Sequence, residues 1–135
     1  MISTKGRYAL RVMIDLAEHQ NDNYIPLKDI ARRQDISEKY LESILKVLVT
    51  KKLLRGLRGK GGGYQLTRSP DQYTVGEILE LTEGTLATVA CLKPGSDPCQ
   101  RRGDCRTLDM WKKYDAMVRD FFYNITLADV LAGNL

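Results

Sequence analysis

The chain is short of the residues on which many chemistries depend. It has one histidine, one tryptophan, two phenylalanines, three cysteines and four prolines in 135 residues. A single histidine rules out a catalytic histidine pair, and no Cys-x-x-Cys motif supports a dithiol oxidoreductase. No apolar run approaches the roughly 18 residues needed to cross a bilayer, and the N-terminus lacks a signal-peptide pattern. The expected location is therefore the cytoplasm, with no membrane partner. In that compartment a structural disulfide is out of place, and an odd cysteine count would leave one thiol over. A phosphate-binding nucleotide loop is also missing. If Lys60 were its lysine, glycine would be required at 54 and serine or threonine at 61, where the chain has Leu54 and Gly61.

What remains is ordinary in amount and uneven in placement. Apolar residues make up 43% and charged residues 28%, enough for one domain with a core, or a small domain plus an assembly element. The net charge is +4, but residues 1–68 hold 14 Lys and Arg against 7 Asp and Glu, whereas residues 69–135 hold 7 against 10. That asymmetry points to a polyanion at one end of the molecule.

The basic half centres on residues 55–68, where five glycines and several cations lie between the apolar arms Leu53-Leu54 and Tyr64-Gln65-Leu66. Glycines that accept a tight reversal, followed by alternating Tyr64 and Leu66, predict a hairpin. From Lys51 to Arg68 there are six basic residues and no acidic one, which suits a groove lined with phosphates. Before the hairpin, apolar spacing predicts helices over residues 5–20, 27–34 and 38–52, the third capped by Ser37. A short helix, a tight turn, a longer helix and a basic hairpin spell a winged helix-turn-helix, mainly α with a small β-hairpin. Glu38, Lys39, Tyr40, Glu42, Ser43 and Lys46 begin the third helix, and its buried stripe turns the polar ones outward, where base edges of double-stranded DNA would be read. A carboxylate such as Glu42 repels phosphate and makes sense there chiefly as an acceptor for a cytosine amino group. Arg58 and Lys60, at the wing tip, suit phosphates or a narrow minor groove.

The second half is organised differently. A helix is predicted over residues 75–81. A loop of about residues 83–104 follows, too long to be an idle connection, with Cys91, Cys99 and Cys105 in it or at its edge. A long helix of about residues 106–125 then carries Trp111, Tyr114, Val118, Phe121 and Ile125 at spacings of 3, 4, 3 and 4, the period of a seam between two helices. Such a seam is expected to pair with the same helix of a second chain in a homodimer, the alternative being packing against its own domain. A short helix over 127–131 ends the chain. The expected division is a DNA-binding domain at 1–82, a sensor loop at 83–105 and a dimerisation segment at 106–135.

Four stretches carry a resemblance to a known family: Ser3-Thr4-Lys5-Gly6-Arg7-Tyr8-Ala9, Ile36-Ser37-Glu38-Lys39-Tyr40-Leu41-Glu42, Arg58-Gly59-Lys60-Gly61-Gly62-Gly63-Tyr64 and Ile125-Thr126-Leu127. They resemble the Rrf-two family of bacterial winged-helix transcription regulators over nearly the whole chain, and in layout most nearly its iron-sulfur cluster regulators. The resemblance implies a homodimer on a palindromic operator. It also implies that Cys91, Cys99 and Cys105 occupy the segment in which cluster-bearing members hold a 2Fe-2S or 4Fe-4S centre. Thiolates are the usual ligands of such clusters, and three of them leave one position for something labile.

The chain departs from those members in two places. Seven residues separate Cys91 from Cys99, about two more than in the best-known ones, and the histidine expected three residues after the last cysteine is Leu108. Where another branch draws a carboxylate from the partner's first helix, the matching positions are Arg7 and Tyr8. Asp104, Asp109 or an exogenous ligand is left to complete the site. The competing uses of the cysteines are a three-thiolate zinc site, a thiol redox switch helped by Arg101, Arg102 and Arg106, and inert residues in a regulator controlled by a partner protein. A redox or electron-transfer protein is the distant rival.

Overall fold

The computed structural model describes residues 1–135, with six α-helices and one two-stranded sheet. Helix α1 (Thr4–Glu18) starts where the Ser3 hydroxyl accepts the Gly6 amide at 3.1 Å, satisfying a donor that has no partner within the helix. Its inward stripe is Ala9, Val12, Met13 and Leu16, each at most 1% exposed. Leu10 and Ala17 flank that stripe and are half-buried. Helix α2 (Leu27–Gln34) buries Ile30 and Ala31 and ends at Asp35, whose φ of 53° makes the sharp turn into the next helix. Helix α3 (Glu38–Thr50) is capped by the Ser37 hydroxyl on the Tyr40 amide at 3.2 Å. It buries Leu41, Ile44, Leu45 and Leu48, the i, i+3, i+4, i+7 stripe of a helix facing a core.

These three helices and the base of the wing share one cluster of 17 buried residues. The wing itself is strands β1 (Leu54–Leu57) and β2 (Gly63–Leu66), antiparallel in the register Leu54 to Leu66 and Leu57 to Gly63. Ile25 adds a third rung, exchanging both backbone hydrogen bonds with Tyr64 at 2.9 Å. That close approach explains Gly63, because a Cβ there would strike the Ile25 carbonyl. Under the wing the fully buried Tyr73 hydroxyl donates to the Leu53 carbonyl at 2.7 Å and accepts the Thr67 and Arg68 amides at 2.9 and 3.1 Å.

Helix α4 (Val75–Glu83) packs along α1, and Glu83 accepts the Ser3 amide and hydroxyl at 2.9 and 2.7 Å. A stretch with a single 3-10 turn (Ala90–Leu92) leads to α5 (Leu108–Tyr123), two residues shorter at each end than its sequence pattern suggests. Helix α6 (Leu127–Ala132) closes the chain with a capping box between Thr126 and Asp129. The segment 106–135 is thereby divided. Leu127 is fully buried in the core shared with α1 to α3, and its amide bonds the Tyr73 carbonyl at 3.1 Å, so α6 belongs with the winged body while α5 lies outside it.

Candidate nucleic-acid interface and cysteine cavity

The inward stripe of α3 leaves Glu38, Lys39, Tyr40, Glu42, Ser43 and Lys46 exposed on the other side. Tyr40 stands edge-on against Tyr8 of α1, with ring centroids 5.8 Å apart, and the Tyr8 ring carries the Arg11 guanidinium over its face at 4.9 Å. Ser43 donates to the Tyr40 carbonyl at 2.6 Å, leaving its oxygen free to accept. Arg58 and Lys60 are exposed in the tip between the two strands. Between α3 and the wing runs an open cleft of about 480 Å³ lined by Glu42, Lys46, Arg58 and Tyr64 among others. Burial, and then the Glu42 carboxylate, push the Tyr64 hydroxyl above its usual pKa while Arg58 opposes them, so the helix carboxylate and the wing cation act on one tyrosine. Helix face and wing thus meet across one open cleft, in the arrangement of a winged helix-turn-helix.

What holds α2 against α1 was not visible in the sequence pattern. Asp15, 1% exposed, accepts Arg33 through Nε at 3.0 Å and Nη2 at 2.7 Å, and Gln34 at 2.8 Å. Burial alone would raise its pKa. The Arg33 and Gln34 hydrogen bonds and the Arg33 charge outweigh that and hold Asp15 below the usual carboxylate range. Arg11 donates to the Gln34 side chain at 3.1 Å and to its carbonyl, fixing the same helix end. A carboxylate on an apolar helix face is explained only by partners 18 and 19 residues away.

Cys91, Cys99 and Cys105 are free and exposed, and all three line one cavity of about 230 Å³. Its wall includes Lys93, Arg102 and Lys112, and no carboxylate or imidazole. Asp104 and Asp109 are not part of it. His19 is far off in sequence at the end of α1, its ring Nδ1 2.8 Å from the Asp15 carbonyl oxygen. The sulfurs share a wall without converging on one point: no three His, Cys, Asp or Glu side chains are grouped to hold a single ion. Leu108 and Lys112 belong to the first turns of α5, so the cavity abuts the N-terminus of that helix. Hydrogen bonds from the Thr107 hydroxyl and backbone, aided by the Leu108 amide and the Arg101 charge, draw the Cys105 thiol below its usual pKa. The donor set fits an iron-sulfur cluster in kind, with three potential thiolates, cations to offset an anionic group and no hard oxygen ligand.

The loop leading into the cavity is also tied to α5, because Asp115 accepts the Thr88 amide at 2.9 Å and its hydroxyl at 3.3 Å. Farther along, α5 is held to α4 by Glu80, which accepts Arg119 at 3.2 Å and the Tyr123 hydroxyl. The Tyr123 ring lies where a side chain on Gly76 would be. Even so, α5 buries no residue. Of the residues expected to form its seam, Tyr114 and Phe121 are exposed and Trp111 and Val118 are half-buried. Ile125 lies beyond the helix and packs on Val75, Leu79 and Leu86 of its own chain. The face left open is Met110, Tyr114, Met117 and Phe121, 51, 49, 69 and 61% exposed. The two methionines escaped the sequence reading, although their spacing of 4, 3 and 4 was the available signal.

The model of one protein family, described as iron-dependent transcriptional regulator, matches residues 2–133. The chain is 35% identical over 132 residues to the HTH-type transcriptional regulator IscR of Sodalis glossinidius, covering 98% of this chain and 79% of the relative. Among solved structures it is similar to CymR, the global cysteine regulator of B. subtilis, at 33% identity with a TM-score of 0.78, covering 98% of this chain and 96% of that one. It is also similar to IscR of T. potens, at 35% identity with a TM-score of 0.76, covering 100% and 88%. With a winged helix-turn-helix body, an exposed polar face on α3 and this match over almost its whole length, the chain belongs to the Rrf2 family of transcriptional regulators.

Proposed function

We propose that this regulator is a cytoplasmic homodimer that binds a palindromic operator in double-stranded DNA, is not an enzyme, and answers to an iron-sulfur cluster held by Cys91, Cys99 and Cys105. The surface of α3 and the wing carries the DNA-binding part. Lys39, Lys46, Arg58 and Lys60 supply cations for phosphates, and Glu38, Tyr40, Glu42 and Ser43 supply donors and acceptors for base edges. One cavity shared by three cysteines carries the sensing part. Three thiols in one wall supply the ligand type that iron-sulfur clusters use. When bound, the cluster supplies a redox- and oxygen-sensitive group at that wall. The chain's own part is mechanical, since residues 105–112 run from cavity wall into α5 and Thr88 grips Asp115. A change in the loop therefore shifts the helix on which the second copy would sit, and with it the spacing of the two α3 helices. Half-site readers feel such spacing because both helices must enter successive major grooves.

A second reading has its own observation. All three thiols are exposed and free, so oxidation among them, without a cluster, is an alternative switch, and one similar structure is of an oxidized form of CymR from Staphylococcus aureus. A regulatory partner protein is the remaining form of control.

Selection from a random duplex pool tests the DNA-binding part. The proposal expects a palindromic site. Arg58→Ala should weaken binding to it roughly tenfold at fixed salt, by losing a phosphate contact and lowering the salt dependence. Glu42→Ala should instead relax preference at one base position by about 1–3 kcal/mol. No enriched sequence, or Arg58→Ala with unchanged affinity, would contradict it.

A further inference from the structure

The cysteine cavity contains three sulfur donors and no fourth ligand of its own. Leu108 is apolar, and the Ser96 hydroxyl is turned back to donate to the Lys93 carbonyl at 2.7 Å. The carboxylates nearest in sequence, Asp97, Asp104 and Asp109, lie outside the wall, while Lys93, Arg102 and Lys112 stand in it and none of the three is in an ion pair. With no carboxylate in the wall, the three cations exceed the net negative charge of a cluster on three thiolates, a surplus that invites a further anion from solution.

We infer that the fourth coordination position of the cluster is filled by a small thiol that also carries a carboxylate, the class of free cysteine and cysteine-containing peptides. Lys93, Arg102 and Lys112 would hold the carboxylate. The inference rests on the reading of this cavity as a cluster site. Thiolate is the ligand that iron-sulfur clusters prefer, and it binds after its proton leaves to solvent. The carboxylate is the part this chain recognises, through charge-assisted hydrogen bonds to ammonium and guanidinium groups. Lys93, Arg102 and Lys112 are exposed, so each contact is modest and the ligand exchanges with its pool. A regulator built this way reports the supply of small thiols together with that of clusters.

The test is native mass spectrometry of the full chain after anaerobic reconstitution with iron, sulfide and either L-cysteine or mercaptoethanol, which lacks the carboxylate. The expected spectrum shows one retained cysteine per cluster, and cysteine outcompetes mercaptoethanol in mixtures. In the double variant Lys93→Ala, Arg102→Ala that preference should fall about fivefold, the scale of two exposed ion pairs. In Leu108→His the imidazole takes the fourth position, so the cluster should load without a thiol. A wild-type chain that carries the cluster with no thiol mass overturns this inference and leaves the cluster reading intact. An unchanged preference in the double variant overturns the role of the cations. A chain that binds neither iron nor sulfide overturns the cluster reading and this inference with it.

Discussion

The two halves of the molecule are finished to different degrees. From Thr4 to Leu86, with α6 folded back, side chains cap the N-termini of α1, α3, α4 and α6, and Asp15 and Tyr73 have every partner they need. All buried residues except Leu127 precede residue 87. From residue 87 to the end of α5 there is no buried residue, three free thiols lie open and a 16-residue helix shows two methionines and three aromatics to solvent. A winged body complete in one chain can hold a reading surface rigid. A helix and loop that bury nothing await what completes them, which on this account is a second copy and a cluster. Stability and sensitivity are thereby separated along the chain, as expected where regulated elements come from the low-stability end of a fold.

The contrast is broken most severely by putting a charge into the open face of α5. Met117→Glu should turn the proposed dimer into a monomer, read by sedimentation, with helix content by circular dichroism unchanged because that residue is 69% exposed. Loss of fold instead of loss of dimer would show that α5 is structural for its own chain. The next largest effect belongs to the finished half. Asp15→Ala strands the Arg33 guanidinium and should cost about 3 kcal/mol in urea unfolding, the low end for breaking a buried pair because a quarter of the Arg33 side chain stays exposed. The same substitution should loosen α2 against α1 and so weaken operator binding.

The smallest effect is in acid. Asp15 titrates below its usual range, so the stability it adds is complete above the unfolded carboxylate pKa of about 3.9 and is lost as pH falls through the folded value. Glu80 is shifted the same way, chiefly by the Tyr123 hydrogen bond, and it joins α4 to α5. The acid limb of unfolding below about pH 4 should therefore flatten in Asp15→Asn and barely change in Glu80→Gln, whose carboxylate is partly exposed.

The same division governs what could be read in advance. The stripe of α3, the Ser37 cap and the hairpin follow from short-range periodicity and turn chemistry, which act within a few residues. Asp15 did not, since its reason lies 18 residues away on another helix. The seam expected along α5 shares Tyr114 and Phe121 with its most exposed face, while Trp111 and Val118 are half-buried. The exposed face uses Met110 and Met117, whose flexible side chains are weak markers of either core or surface. The cysteines were countable but not placeable. A loop without a period gives no geometry, and only the folded chain shows the three of them, with Lys93, Arg102 and Lys112, around one cavity.

The most direct measurement of the central claim is the visible absorption spectrum, with iron and sulfide content, of protein purified without oxygen. The account predicts cluster bands with stoichiometric iron and sulfide, lost together when Cys91, Cys99 or Cys105 is replaced by Ala. A colourless protein that resists reconstitution while still binding its operator would contradict the cluster and assign control to the thiols or to a partner protein.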